Sequence, residues 1–342
     1  MAAELLLLPL PELLPTDRPG LTAAAGTLGG HDLEPVGLSS TASELATCRR
    51  AAQVVLSAGI TRTISTPKGW SAEEQALDVL FDVGRAEGDS ATILAGALGT
   101  AYVDVIEDAT STRTTLSPQD WRDLTDGMGQ ALALIGLTGT EVAPPATADR
   151  LPDIRRLPAC HERLRWMLGH RLFYTLTQAL IVSLSLFTTA TSRGDHEAAE
   201  QALTTATALM RASAAALLYT ADFPHAVYAD DIRPNVMRPP NTLPGISGIQ
   251  GRDHHVLIQL FRDLRPVFGA LSGTSESYQR FRAATERLFA NHTHICDKFV
   301  GPVKPSLLME ARSRSKDQIS ARLALRKLTR RRLRLLEGRA DY

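Results

Sequence analysis

Cysteine is scarce in this chain: Cys48, Cys160 and Cys296 are the only three in 342 residues. An odd, widely spaced set is not a disulfide framework. It fits a reducing compartment, and a cytoplasmic location is the expectation. Aromatic residues are scarce too, at 5%, against 44% hydrophobic residues overall. A core of that size made largely from Leu and Ala favours helices over an aromatic-rich sheet. Net charge is absent, with 37 basic and 37 acidic residues, so the chain as a whole is not a polyelectrolyte binder. Also missing are a Gly-rich phosphate loop after a strand, a Gly-x-Ser-x-Gly elbow, a His-Glu-x-x-His pair and the two-cysteine haem attachment motif. The first twelve residues have no basic n-region, carry Glu4 and are interrupted by Pro9 and Pro11. They read as an arm packed on the body, not an export signal.

What is present is a series of helical patterns. Helices are expected from Thr41 or Ser43 to about Ala58, from the capping box Ser71–Glu74 toward Gly84, and from Ser90 to Glu107. Ser117-Pro118 opens another toward Leu137, and Asp195 caps an Ala-rich helix ending near Tyr219. Between them, no charged residue occurs from Leu172 to Ser192. Its Thr, Ser and Gln content and its charged flanks fit the central helix of a globular bundle better than a membrane span. Residues 1–40 read as an irregular arm, 138–158 as a linker, and 223–251 as a long Pro-rich loop. Asp253 is expected to cap the next helix, Ser275 or Ser277 the one ending near Phe299, and 306–342 to form a basic terminal helix. The fold class is all-α, a single helical domain over 1–342 with no convincing strand series.

Three features carry chemistry. The first is Asn291-His292-Thr293-His294-Ile295-Cys296. In a helix His292 and Cys296 lie one above the other, on the face that also holds Leu288, Phe289 and Phe299. Such a face can offer an imidazole to a metal and a thiol beside it; for a haem iron, the imidazole is the axial ligand and the thiol reaches a vinyl edge. The bland alternative is a core histidine beside a buried cysteine. A zinc site using His294 as well suits strand alternation rather than a helix, and no second ligand cluster completes it. The second feature is Asp253-His254-His255. His254 lines up with Leu257, Phe261, Leu264 and Phe268 and points inward, where the helix dipole would keep it neutral and able to accept a proton. The third is the stretch from Ala311 to Tyr342, with eleven basic and three acidic residues. Ile319, Leu323, Leu328, Leu335 and Leu336 give it an apolar stripe, so docking on the body or on a second subunit outweighs phosphate binding. Asp104, Glu107 and Asp108 read as an acidic helix surface.

A histidine near a loop-to-helix junction, an intervening helix and then His-x-x-x-Cys resembles the haem-dependent 3-methyl-L-tyrosine hydroxylases of saframycin-type antibiotic pathways. These are histidine-ligated haem-dependent aromatic oxygenases with a fold similar to tryptophan 2,3-dioxygenase. The matching residues are His254 or His255, then His292 and Cys296, within about 230–305. The resemblance implies a helical bundle around haem b, with His292 as axial ligand and a single thioether to Cys296. It further implies that His254 or His255 moves protons while 3-methyl-L-tyrosine is converted to 3-hydroxy-5-methyl-L-tyrosine with hydrogen peroxide. Arg233 and Arg238 are candidates for the substrate carboxylate. Neither nucleic acid nor a membrane is expected as a partner, and a homodimer is left open. The competing readings are an O2-dependent haem dioxygenase of an indole and a non-catalytic helical module acting through the basic C-terminus.

Overall fold

In a computed structural model the described residues are 5–18, 21, 40–136, 159–236, 250–271, 273, 275–301 and 320–338, excepting the side chains of 159 and 160. Helix α1 spans Ala42–Gly59, α2 Ala72–Leu80, α3 Ser90–Thr112 and α4 Pro118–Leu134. The long α5 runs Ala159–Ser192 and α6 His196–Thr220. Then come α7 Arg252–Asp263, α8 Arg265–Leu271, α9 Glu276–Phe299 and α10 Ala321–Leu336. The expected stops and starts have visible causes. Thr41 with Glu44 and Ser71 with Glu74 form capping boxes, and Ser117, Asp195 and Ser275 each accept a first-turn N–H.

The bundle is centred on α5, which packs against α6, α3 and α7, while α6 also receives α4 and α9. Glycine permits two close approaches in the bundle, α3 on α1 and α5 on α6. A Cβ at Gly96 would lie 2.3 Å from the Leu56 backbone nitrogen, and one at Gly169 would lie 2.3 Å from Thr220 Oγ1. The stretch 161–192 is long and apolar enough to cross a membrane, and most of it is buried within the protein. One apolar cluster extends from Leu6 to Leu336. Helix α10 lies against α9 and α8, with Leu335 and Leu336 buried and the Tyr278 hydroxyl donating to the Leu336 carbonyl.

The helical class is as expected, but the bundle carries a three-stranded sheet that the sequence reading did not anticipate. Strands β1 (Leu6–Pro9), β2 (Ile60–Ile64) and β3 (Val83–Gly88) are arranged β1-β3-β2. β1 runs parallel to β3, pairing Leu6 with Val83, and β2 runs antiparallel, pairing Ile64 with Arg85. The N-terminal arm is therefore not wholly irregular: Leu6 and Leu8 are buried as strand residues and a 3-10 turn follows at Pro11–Leu13.

Three further expectations are corrected. The chain from His225 to Val236 is not irregular but coils through short helical turns, including a π-helical turn at Tyr228–Ile232. Asp253 is not a cap: Gly251 holds that position, and Asp253 sits inside α7, buried. Asp108 is not on a helix surface either; it is buried, bonded to Arg165 Nε at 2.8 Å and accepting from Tyr219. Residues 302–319, which include the start of the expected terminal helix, lie outside the described residues.

Candidate active site

Arg85, on the central strand, is the anchor of the site. It is 2% exposed and sits between two carboxylates. Its Nε and Nη2 donate to Asp78 at 2.7 and 2.8 Å, and its Nη2 and Nη1 donate to Asp253 at 2.6 and 3.2 Å. Gln178 of α5 adds a 2.7 Å bond from Nε2 to Asp253 Oδ1, and the Trp70 ring covers the guanidinium at 4.8 Å. Forked bonds of this kind fix direction as well as charge. The first turn of α7 is thus fastened to the sheet and to α5, and the residue after Asp253 is His254.

His254 has an imidazole Nε2 that is shielded and without a partner among the described residues. Burial pushes its pKa down to about 3, with further repulsion from Arg332, His255 and His292. The neutral form expected from the helix dipole is therefore present, but desolvation is its main cause. His255 is exposed on the other side of α7, with Nδ1 3.1 Å from Glu74 Oε1.

His292 and Cys296 share one face of α9, and both are half-buried. Earlier turns of the same stripe bury Tyr278, Phe281 and Thr285 in the core. The helix is held from its other side. Asn291 Nδ2 donates to Ala214 O at 3.0 Å, Lys298 Nζ donates to Ala221 O at 2.7 Å, and Arg287 pairs with Asp120 at 2.6 Å and with Asp123. Burial lowers the pKa of His292 and raises that of Cys296 to about 11, with Asp297 adding to the latter, so the thiol is un-ionised. His294 is exposed, which separates it from the pair. Phe299 stacks between Phe223 and Tyr228, at 5.0 and 4.6 Å, and Ile295 packs on the same cluster.

Sequence reasoning missed His170. It lies on α5, its ring stacked on Phe81 at 4.1 Å with Trp166 edge-on at 4.7 Å. Burial depresses its pKa to about 4, and His292 contributes to that shift. The signal was weak, because Gly169-His170-Arg171 reads as the charged flank of an apolar helix. Yet Arg171 is itself buried, donating from Nε to the Phe81 carbonyl at 2.8 Å. Arg233 is half-buried after the π-helical turn, beside Ile232 and Val236, which pack with Ile295 and Phe299. Arg238 lies outside the described residues.

The three histidines His170, His254 and His292 have a common feature. α9 packs on α6 and α10, and α7 packs on α5. Burial is the chief cause of the lowered pKa of His254, His170 and His292 alike. A shielded imidazole nitrogen with no partner costs about 1–3 kcal/mol. A half-buried imidazole with an un-ionised thiol one turn further along the same helix face is a donor pair that a haem group can use, so His292 and Cys296 fit it.

The fold and the shielded imidazoles are those of a helical oxidoreductase, and comparison with known proteins specifies which kind. The family model for SfmD 3-methyl-L-tyrosine peroxygenase matches residues 7–287, and the chain belongs to that family of enzymes. A 3-methyl-L-tyrosine peroxygenase of Streptomyces lavendulae is 31% identical over 309 residues, covering 87% of this chain and 82% of the relative. The crystal structure of reduced SfmD, soaked with sodium hydrosulfite, superposes with a TM-score of 0.69 at 27% identity, covering 85% of this chain and 97% of SfmD.

Proposed function

We propose that this enzyme hydroxylates 3-methyl-L-tyrosine ortho to its phenolic oxygen, with hydrogen peroxide as oxidant and 3-hydroxy-5-methyl-L-tyrosine as product. The observation that carries the reading is His292 and Cys296 one turn apart on a single face of α9, with the shielded His254 at the start of α7, in a chain of the SfmD family. His292 would hold the iron of haem b and Cys296 would tether the group through a single thioether. When bound, the haem supplies peroxide activation and oxygen transfer to the ring.

The protein supplies position and proton handling. His254 is neutral and its Nε2 has no partner among the described residues, so it can take part in moving a proton from peroxide or from the substrate phenol. His255 faces away and is paired with Glu74, which leaves the proton role to His254. The Arg85–Asp253 clamp keeps α7, and so the imidazole, from turning. Arg233 and Arg238 are the cations proposed for the substrate carboxylate.

The test is direct. Purified protein is examined for a Soret band, then incubated with 3-methyl-L-tyrosine and hydrogen peroxide, and the product is identified by mass and by NMR. A product heavier by one oxygen, with hydroxyl ortho to the phenol, is expected. A colourless protein, or a ring-opened product from an indole and O2, would replace this reading.

A further inference from the structure

A cavity of about 470 Å³ lies where the end of α4, the end of α5 and the start of α6 meet, with Arg18 and Leu21 of the N-terminal arm as its fourth wall. That volume is within the range of small-molecule sites. It is separate from the face that carries His292 and Cys296. Helix α9 is bonded to α6 at Ala214 and Ala221, whereas α6 lines the cavity only between Asp195 and Thr205. On α5, Leu186 stands sixteen residues beyond His170, about 24 Å along the axis. The space exists because the helices face one another there with small side chains: Ala133, Ala190, Ala198 and Ala202 line it, and Leu134 and Leu186 complete an apolar surface.

The polar groups on this surface are not all satisfied. Thr205 is 9% exposed and lines the cavity, and its hydroxyl has no partner among the described residues. Other threonines of these helices return the hydroxyl to a carbonyl one turn back, as Thr177 and Thr207 do at 2.8 Å. A hydroxyl nine-tenths buried and left unbonded is unfavourable, and a polar group of a ligand would relieve it.

The charges at the mouth divide in a similar way. Arg18 is engaged, donating from Nη2 to Gln201 Oε1 at 2.6 Å, and Thr189 Oγ1 donates to the Thr16 carbonyl at 3.0 Å, so the arm is fastened to α6 and α5. Asp195 is the only acid among the described lining residues, and it is occupied as the cap of α6, accepting the Ala198 N–H at 3.0 Å. The Arg193 guanidinium makes no ion pair or side-chain hydrogen bond among the described residues. Its planar fork matches a carboxylate. Thr205 stands ten residues beyond Asp195, about 15 Å along α6. An arginine side chain and a ligand the size of tyrosine together bridge such a span.

We propose that this cavity binds a small carboxylate with an apolar body and a hydroxyl at its far end, with the carboxylate on Arg193, the body on Leu134 and Leu186, and the hydroxyl on Thr205. A hydroxyphenyl carboxylate meets all three demands. The site is independent of the haem reading and goes beyond the proposed reaction. Two sources share this chemistry, a tyrosine-like amino acid and its amine-free acid.

The experiment is calorimetric titration of the purified full-length protein with 3-(4-hydroxyphenyl)propanoate, 3-phenylpropanoate, tyramine and 3-methyl-L-tyrosine. The hydroxyphenyl acid is expected to bind wild type, and Arg193→Gln to weaken it by about tenfold or more. Tyramine lacks the carboxylate, so Arg193→Gln should leave its binding unchanged. Thr205→Val keeps the side-chain shape; it should weaken the hydroxyphenyl acid by about fivefold and leave the phenyl acid unaffected. Ala202→Leu fills the space and should abolish binding of both acids, with circular dichroism showing that each variant is folded. An equivalent of 3-methyl-L-tyrosine that disappears in Arg193→Gln supports the site with the amino acid as occupant; loss of the amine-free acid alone supports it with phenolic acids as occupant. Absence of binding by either acid or by the amino acid at millimolar concentration overturns the proposal. So do affinities that Arg193→Gln and Ala202→Leu leave unchanged, or a loss of tyramine binding equal to that of the acids.

Discussion

Asp253 and Arg85 meet in the interior with Oδ2 and Nη2 2.6 Å apart, each side chain 1% exposed, and the residue that follows Asp253 is His254. The strand that crosses the middle of the sheet thereby holds a carboxylate 168 residues further along the chain, and with it the candidate catalytic imidazole that follows. Nothing softer would serve. A buried guanidinium with one carboxylate removed is an uncompensated charge, and the whole first turn of α7 would adjust to relieve it.

Substituting Asp253 by Ala is expected to cost about 3–5 kcal/mol, the usual penalty for removing one member of a buried pair. Denaturant titration reads the loss, and the Soret band of the surviving folded fraction should broaden as His254 loses its fixed place. A stability unchanged within about 0.5 kcal/mol would show that the pair is not what holds α7.

Gly169→Ala places a methyl group where the nearest neighbours are Thr220 Oγ1 at 2.3 Å and Thr220 Cα at 2.8 Å. The backbone partner cannot yield as a flexible side chain would. Overpacking of this kind costs about 1–3 kcal/mol, and the midpoint of thermal unfolding should fall by several degrees. Gly194→Ala is not a fair control, because that residue has a φ of +70°. Gly273 has open space around it and no such backbone demand, so Gly273→Ala should leave the midpoint nearly unchanged.

The pH dependence of stability follows from His170. Its native pKa of about 4 lies below the ordinary histidine value near 6.5. As pH falls, the unfolded chain takes up the proton first, so stability rises with pH across that window. The contribution is complete above about pH 6.5 and declines as pH falls toward 4, by about 1–3 kcal/mol. His170→Phe should flatten that part of the profile. An unchanged slope between pH 4 and 6.5 would mean that His170 is not shielded from water.

His254 and His255 should separate cleanly. His254→Ala is expected to reduce turnover by about 10²- to 10⁴-fold, in the range of lost proton transfer, while haem remains on the protein. His255→Ala should leave turnover within about twofold, since its ring is exposed and bonded to Glu74. The reverse pattern would transfer the proton role to His255.

Much of this protein was readable from its chain. Helix starts announced themselves through Thr41, Ser71, Ser117 and Asp195, because capping is a local interaction between residues three apart. The placing of His292 and Cys296 on one face followed from helix periodicity alone. The sheet was not readable. Val-Gly-Arg-Ala-Glu-Gly has almost no strand character, and β3 forms because β1 and β2 flank it from distant parts of the sequence. Asp253 resembled a cap because an Asp before a helical run usually is one; only Arg85 and Gln178, both remote in sequence, make it an interior residue. His170 was hidden by Arg171, whose charge signalled a surface that the Phe81 and Asp82 carbonyls in fact enclose.

The central claim is that His292 and Cys296 hold one haem by two different bonds. Acid–acetone extraction of wild type and of Cys296→Ala, read by absorption of the two layers, tests it most directly. Wild-type haem should stay with the precipitated polypeptide, and Cys296→Ala should release it to the organic layer while its Soret band before extraction still shows a histidine-ligated iron. Haem that leaves the wild-type protein on extraction, or that stays bound to Cys296→Ala, would contradict the account.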